Sequence, residues 1–143
     1  MSNLWKIVKY TQGENADGKI LKMCLPIMVK VRPLLNAEQE NEFTLMLILD
    51  KDNNTNSPPL PTIEGVFIYH QSEQIFYAKR FGGFAKEADW KRESTNLLEL
   101  CKTLPINRDE VISATYDMPT KLFNRHNEVL VAEINQTTIT NSC

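Results

Sequence analysis

The chain has 143 residues, 42% hydrophobic and 24% charged, the ordinary make-up of one globular domain able to bury its own core. Its 16 Lys and Arg stand against 18 Asp and Glu, a net charge of −2, so no basic field is available to grip a nucleic-acid backbone. Cys24, Cys101 and Cys143 form no C-x-x-C pair, which argues against both a disulfide scaffold and structural zinc.

No stretch approaches the roughly 18 apolar residues of a membrane span. The opening MSNLWKIVKY also lacks the long apolar region of a secretory signal. A cytoplasmic protein with reduced thiols is the expectation.

In chain order, Leu4, Ile7, Val8 and Thr11 recur at helical spacing before Gly13, which predicts a short amphipathic helix. ENADG (14–18) is a turn. Residues 20–31 read as a strand, bent, bulged or at an edge where Pro26 can donate no ladder bond. EFTLMLIL (42–49) is the strongest strand, with Phe43, Leu45, Leu47 and Leu49 on one face. DKDNNTNSPPLP (50–61) is a polar, proline-terminated connection with no expected core residue.

Residues 66–69 and 74–81 are then expected to form a β-hairpin joined by HQSE. After Gly82-Gly83, residues 86–104 predict a helix with Trp90, Leu97, Cys101 and Leu104 in one stripe and Pro105 as its stop. Two more strands are expected at 111–116 and 128–134, followed by a polar tail from Asn135.

Catalytic patterns are missing from this order. Gly82-Gly83 lacks the G-x-x-x-x-G-K-[ST] frame of a phosphate loop, and an antiparallel reading offers no βαβ unit for a dinucleotide fingerprint. The pair reads as a strand-to-helix corner, with Phe84 and Trp90 seating the helix on the sheet. No G-x-S-x-G or cysteine elbow accompanies His70 or His126, and Glu87 and Asp89 suit a helix start. A non-enzyme is expected. The amphipathic NLLELCKTL (96–104) could serve as a partner helix, but its apolar stripe reads as facing its own core.

RFGGFAKEADW (80–90) and YDMPTKLFNRHNEVLV (116–131) resemble the two signature segments of the SOUL/heme-binding protein family. KYTQGENADGKILKMCLPIMVKV (9–31) is similar to that family's helix–turn–strand, with MCLP in place of M-T-A-P, and NSPPLP (56–61) falls where the family has a linker. The resemblance implies an α+β fold: a pseudo-twofold pair of βαββ repeats forming a distorted antiparallel β-barrel or sheet with two helices. It divides residues 1–134, one domain, into a first repeat (1–50) that begins at its helix and so lacks its opening strands, a linker (51–62) and a complete second repeat (63–134). Residues 135–143 are the tail.

The resemblance also implies non-covalent binding of haem or a related tetrapyrrole in an apolar groove, with cations meeting the propionates. Carried over residue by residue, it points to Leu4, Val8 and Lys9 on the first helix and Lys121 beside the Y-D-x-P loop. Among residue types that ligate haem iron, His70 and His126 are the candidates, and no C-x-x-C-H exists for covalent attachment. The alternative is an interaction module of the same fold that has lost ligand binding with its opening strands. An uncovered strand edge would favour a homodimer.

Overall fold

The structure, a computed structural model, describes residues 3–32, 41–50 and 57–134. Residues 51–56 of the expected linker and the polar tail 135–143 lie outside the described residues. The elements are α1 (Asn3–Thr11), β1 (Met23–Arg32), β2 (Glu42–Leu49), β3 (Phe76–Phe81), α2 (Glu87–Leu100), β4 (Val111–Thr115) and β5 (Asn127–Ala132).

All five strands belong to one antiparallel sheet in the order β2-β1-β4-β5-β3. The central β1–β4 ladder, flanked by β2 and β5, gives α1–β1–β2 and α2–β4–β5 an approximate twofold relation. β3 continues the sheet beyond β5. No strand covers the corresponding side of β2 among the described residues, so the sheet is open and does not close into the barrel form of the expected fold.

Pro26 sits where the β1–β2 register breaks, between Cys24 and Ile27, after a cis Leu25–Pro26 bond. The bulge confines the residue without an N–H to an interruption of the ladder, which is how an interior strand accommodates proline. β1 is interior here, so the bulge is the correct member of the three expected alternatives.

The expected hairpin is absent. Residues 66–75 form no strand, and β3 pairs with β5 from Phe76↔Ala132 to Phe81↔Asn127. The 66–69 segment instead runs as irregular chain, with Tyr69 packed 5.5 Å from the Lys30 ammonium on β1. Local alternation could not reveal that the partner of β3 lies some fifty residues downstream. Nor is the proline-rich connection free of core: Pro59 is buried and its carbonyl accepts the Tyr10 hydroxyl at 2.8 Å.

α1 turns into β1 through Asn15. Its amide nitrogen donates to the carbonyls of Tyr10 (2.9 Å) and Lys19 (2.7 Å), while its oxygen accepts from the Asp17 and Lys19 amides. One buried side chain thus bonds four backbone groups around the turn, including the Tyr10 carbonyl at the helix end.

α2 starts where Asp89 accepts the Lys86 amide at 2.9 Å, with Glu87 and Asp89 in the positive first turn. It stops at Leu100 rather than Leu104. Pro105 disfavours helical backbone just before it, and the Arg108 guanidinium takes the Leu98 and Cys101 carbonyls at 3.2 and 2.9 Å. Leu97 and Cys101 bury against Ile106, Val129 and Val131, and Trp90 meets Phe81 edge-on at 4.8 Å. NLLELCKTL is therefore a core helix end. Leu104, on its expected stripe, is left 37% exposed because the helix has already ended.

The Gly82-Gly83 pair is the expected corner between β3 and α2. Gly83 has φ +84, a conformation costing other residues about 1 kcal/mol or more, and its carbonyl accepts Asn127 Nδ2 at 2.9 Å. Phe84 departs from expectation: it is exposed, with Arg125 stacked 4.3 Å over its ring, so Trp90 seats the helix without it.

Two stability outcomes follow. Leu97→Ala should cost about 3 kcal/mol in urea unfolding, whereas Leu100→Ala, at a position 70% exposed, should cost under about 0.5 kcal/mol. Gly83→Ala should destabilise by about 1 kcal/mol, from its positive φ, and more than Gly82→Ala, where the added methyl meets only the Arg125 carbonyl at 3.5 Å.

Candidate functional site

The sheet register places the functional segments before any ligand is considered. Leu47, Ile27, Thr115, Asn127 and Phe81 lie in one row across the sheet. The loop after β4, the start of β1 and the glycine corner after β3 therefore share one end of the molecule. The C-terminus of α1 reaches that end too, since the Leu21 amide, two residues before β1, donates to the Thr11 carbonyl at 2.7 Å.

The 116–126 loop is held by its own polar groups. Arg125, almost wholly buried, donates to the carbonyls of Met118 (2.9 Å), Lys121 (2.7 Å) and Asp117 (3.2 Å). Asp117 accepts the His126 amide and the Lys121 ammonium, the latter at 2.7 Å, across the same loop. These donors hold the Asp117 carboxyl below its ordinary range, Lys121 first and the His126 amide second, against a smaller cost of burial. With its polar groups turned inward, the loop presents Met118, Leu122 and Phe123 to solvent, Phe123 at 80% exposure.

At the loop's neck, Tyr116 stacks on His126 with ring centroids 4.2 Å apart. Glu128 joins them, taking the Tyr116 hydroxyl at 2.9 Å and facing His126 Nε2 at 2.6 Å. Burial, then the hydrogen bond and charge of Glu128, push the Tyr116 phenol above its usual value. The cluster satisfies itself and pins the two ends of the loop together, as does the Tyr116 amide on the His126 carbonyl at 3.1 Å.

The expected site residues fall in two places. Leu4 and Val8 lie one turn apart on α1, beside exposed Trp5, and form an apolar strip. Lys9 follows on the same helix and pairs with Glu14 at 3.1 Å. Lys121 sits on the loop, and no hydrogen bond or ion pair joins it to α1 among the described residues. The Lys9–Glu14 pair is solvated, so Lys9 can exchange its carboxylate for another anion at little cost, whereas Lys121 reaches a carboxylate that is largely buried.

His70 is exposed in the irregular segment before β3. His126 has its Nε2 committed to Glu128. No group of three or more His, Cys, Asp or Glu side chains able to hold a metal occurs among the described residues. The chemistry of these residues suits a flat apolar ligand bearing acidic groups: an aliphatic and aromatic strip, an exposed apolar loop and the ammonium groups of Lys9 and Lys121. The exposed Met118, Leu122 and Phe123 escaped the sequence reading because loop periodicity does not signal exposure. Arg125 escaped it because its role depends on where three carbonyls converge.

A family model described as SOUL heme-binding protein matches residues 1–132. The chain belongs to the SOUL heme-binding protein family. It is similar to Heme-binding protein 1 of Mus musculus, with 31% identity over 126 residues, 87% of this chain and 66% of the relative. Heme-binding protein 1 of Sus scrofa is 30% identical over 125 residues, 87% and 66% of the two chains. Heme-binding protein 2 of Homo sapiens is 28% identical over 135 residues, 93% and 65%. The chain thus spans just under two thirds of the length of these relatives. Within this SOUL chain, RFGGF and YDMP stand at the two structural joints just described, the corner after β3 and the neck of the loop.

Acid should loosen the loop and the α2 packing together. Asp117 is held down as above. Lys79, then Arg92, hold the buried Glu93 below its usual 4.5, outweighing burial, and at Glu110 burial is outweighed by Arg32 and Lys30. Each is depressed in the folded state, so the stability it contributes is present above its ordinary value. That stability is lost as pH falls through the folded one. Urea midpoints should stay flat from pH 7 to about 5 and fall steadily below about 4. A midpoint independent of pH down to 3 would contradict this.

Proposed function

We propose that the chain binds haem or a related tetrapyrrole non-covalently and without catalysing a reaction. The observation that carries the reading is the family match over 132 residues, in which the relatives are named heme-binding proteins. The proposed surface is the α1 strip of Leu4 and Val8, with Lys9, and the loop bearing Lys121. The ring would lie against the apolar groups, removing their area from water, while the two ammonium groups meet the propionates. Bound haem would supply its iron, and the protein's part is docking and orientation. His126 is already tied to Glu128, so the reading requires no axial bond from it. A cytoplasmic setting is proposed with it.

Titration with hemin should give a saturable Soret shift at micromolar concentrations. Absence of any saturable shift would overturn the reading. Lys9→Ala/Lys121→Ala should weaken hemin binding about five- to tenfold, the scale of two solvated ion pairs. Unchanged affinity in that variant would remove these two lysines from the site.

A second reading, an interaction module that pairs with another copy of itself, is favoured by the outer edge of β2. No strand covers that edge among the described residues, and Phe43 and Ile48 on β2 are exposed. Light scattering should then find a dimer. A monodisperse monomer at all concentrations would exclude it.

A further inference from the structure

We propose that the 116–126 loop docks the protein on an anionic lipid surface, its apolar tip entering the bilayer interface. The β4–β5 ladder ends at Thr115↔Asn127, so residues 117–125 lie beyond the last strand pair. Met118, Leu122 and Phe123 are exposed on them. Phe84, exposed at the glycine corner, extends the same apolar surface, since Arg125 of the loop stacks 4.3 Å over its ring. Large apolar side chains gathered at one tip mark a contact site, as scattered ones do not.

The loop's backbone suits a hydrocarbon surface. Arg125 donates to the carbonyls of Asp117, Met118 and Lys121, and the Lys121 amide donates to the Met118 carbonyl at 3.1 Å. The His126 amide is taken by Asp117, and Pro119 has no N–H to leave unpaired. A protein partner or water supplies hydrogen bonds to a loop it meets. A bilayer supplies none at depth, so a segment entering it must satisfy its polar groups from within.

Charge selects the lipid. Residues 80–86 and 116–126 hold four cations, Arg80, Lys86, Lys121 and Arg125, against the single acid Asp117, a local charge of +3 in a chain of net −2. Arg80 and Asn124 line one cavity, which sets the corner's cations beside the loop. Arg80 and Lys86 are exposed, and Arg80 makes no hydrogen bond or ion pair among the described residues. The acids bordering these segments are already engaged: Glu87 with Lys91 at 2.6 Å, and Glu128 with Tyr116 and His126. An apolar tip flanked by cations fits a bilayer with anionic headgroups, the tip entering about 5–10 Å while the cations stay at headgroup level.

This docking does not rest on the tetrapyrrole reading, and its test contains no hemin. The full chain would be sedimented with vesicles of phosphatidylcholine alone and of phosphatidylcholine with one quarter phosphatidylserine. Saturable binding to the mixed vesicles is expected, about tenfold or more tighter than to phosphatidylcholine and weakening as salt rises. Leu122→Ser/Phe123→Ser alters side chains 65% and 80% exposed, so its urea midpoint should match that of the parent chain. Its vesicle binding should fall about tenfold or more. Arg80→Ala/Lys86→Ala should weaken binding to the mixed vesicles about tenfold and leave binding to phosphatidylcholine unchanged. The emission of Phe123→Trp, read against the parent chain, should shift to the blue on mixed vesicles.

No binding to the mixed vesicles overturns the proposal, and so does binding that Leu122→Ser/Phe123→Ser keeps in full. If the parent ignores vesicles and that variant instead abolishes a self-association seen by light scattering, the tip is a protein-docking surface and the lipid surface is overturned. Hemin titration is a separate measurement, so failure here leaves the tetrapyrrole reading standing.

Discussion

The β1–β4 ladder is the constraint on which the rest of the molecule depends. Five residue pairs, Ile27–Val31 against Thr115–Val111, are the strand pairing that joins the two halves of the described chain. Antiparallel pairing in this register sends the end of β4 and the start of β1 to the same end of the sheet. It thereby fixes the loop after Tyr116 beside the segment that leaves α1. It also makes β1 interior, so proline at position 26 is tolerable only in a bulge. A slip of one residue would turn Val29 and Val31, opposite Leu45 and Phe43 on β2, to the other face of the sheet.

Around that ladder the two ends of the sheet are finished differently. At the β3 edge, α2 buries Leu97 and Cys101 on Val129 and Val131, and the half-buried Lys79 reaches buried Glu93 on the helix. Arg92 holds the same carboxylate at 3.2 Å, so Glu93 ties α2 to β3 while keeping a partner on its own helix. At the β2 edge the apolar row is less covered, and Phe43 stands 60% exposed. The approximate twofold is therefore a symmetry of strand order, with unequal cover on its two sides.

The end of the sheet that carries the 116–126 loop gathers its polar groups inward and its apolar groups outward. Arg125 and Asp117 satisfy the backbone of the 116–126 loop from within, which is why a surface segment can hold a shape while exposing Met118, Leu122 and Phe123. This arrangement suits docking. Each titratable group at the neck, Tyr116, His126 and Glu128, has its hydrogen-bonding capacity at least partly met by the others.

Much of this was determined by sequence alone. Alternation from Phe43 to Leu49 and helical spacing from Leu4 to Thr11 are local patterns set by backbone geometry, and both elements formed where expected. The glycine corner was legible because positive φ leaves few residue choices. What only the tertiary structure decided depends on distant partners. Phe76–Phe81 pairs with Asn127–Ala132 instead of folding back on 66–69, because a strand's edge bonds to whichever backbone the fold brings alongside. The helix end moved from Leu104 to Leu100 because Arg108, beyond the proline, takes its carbonyls.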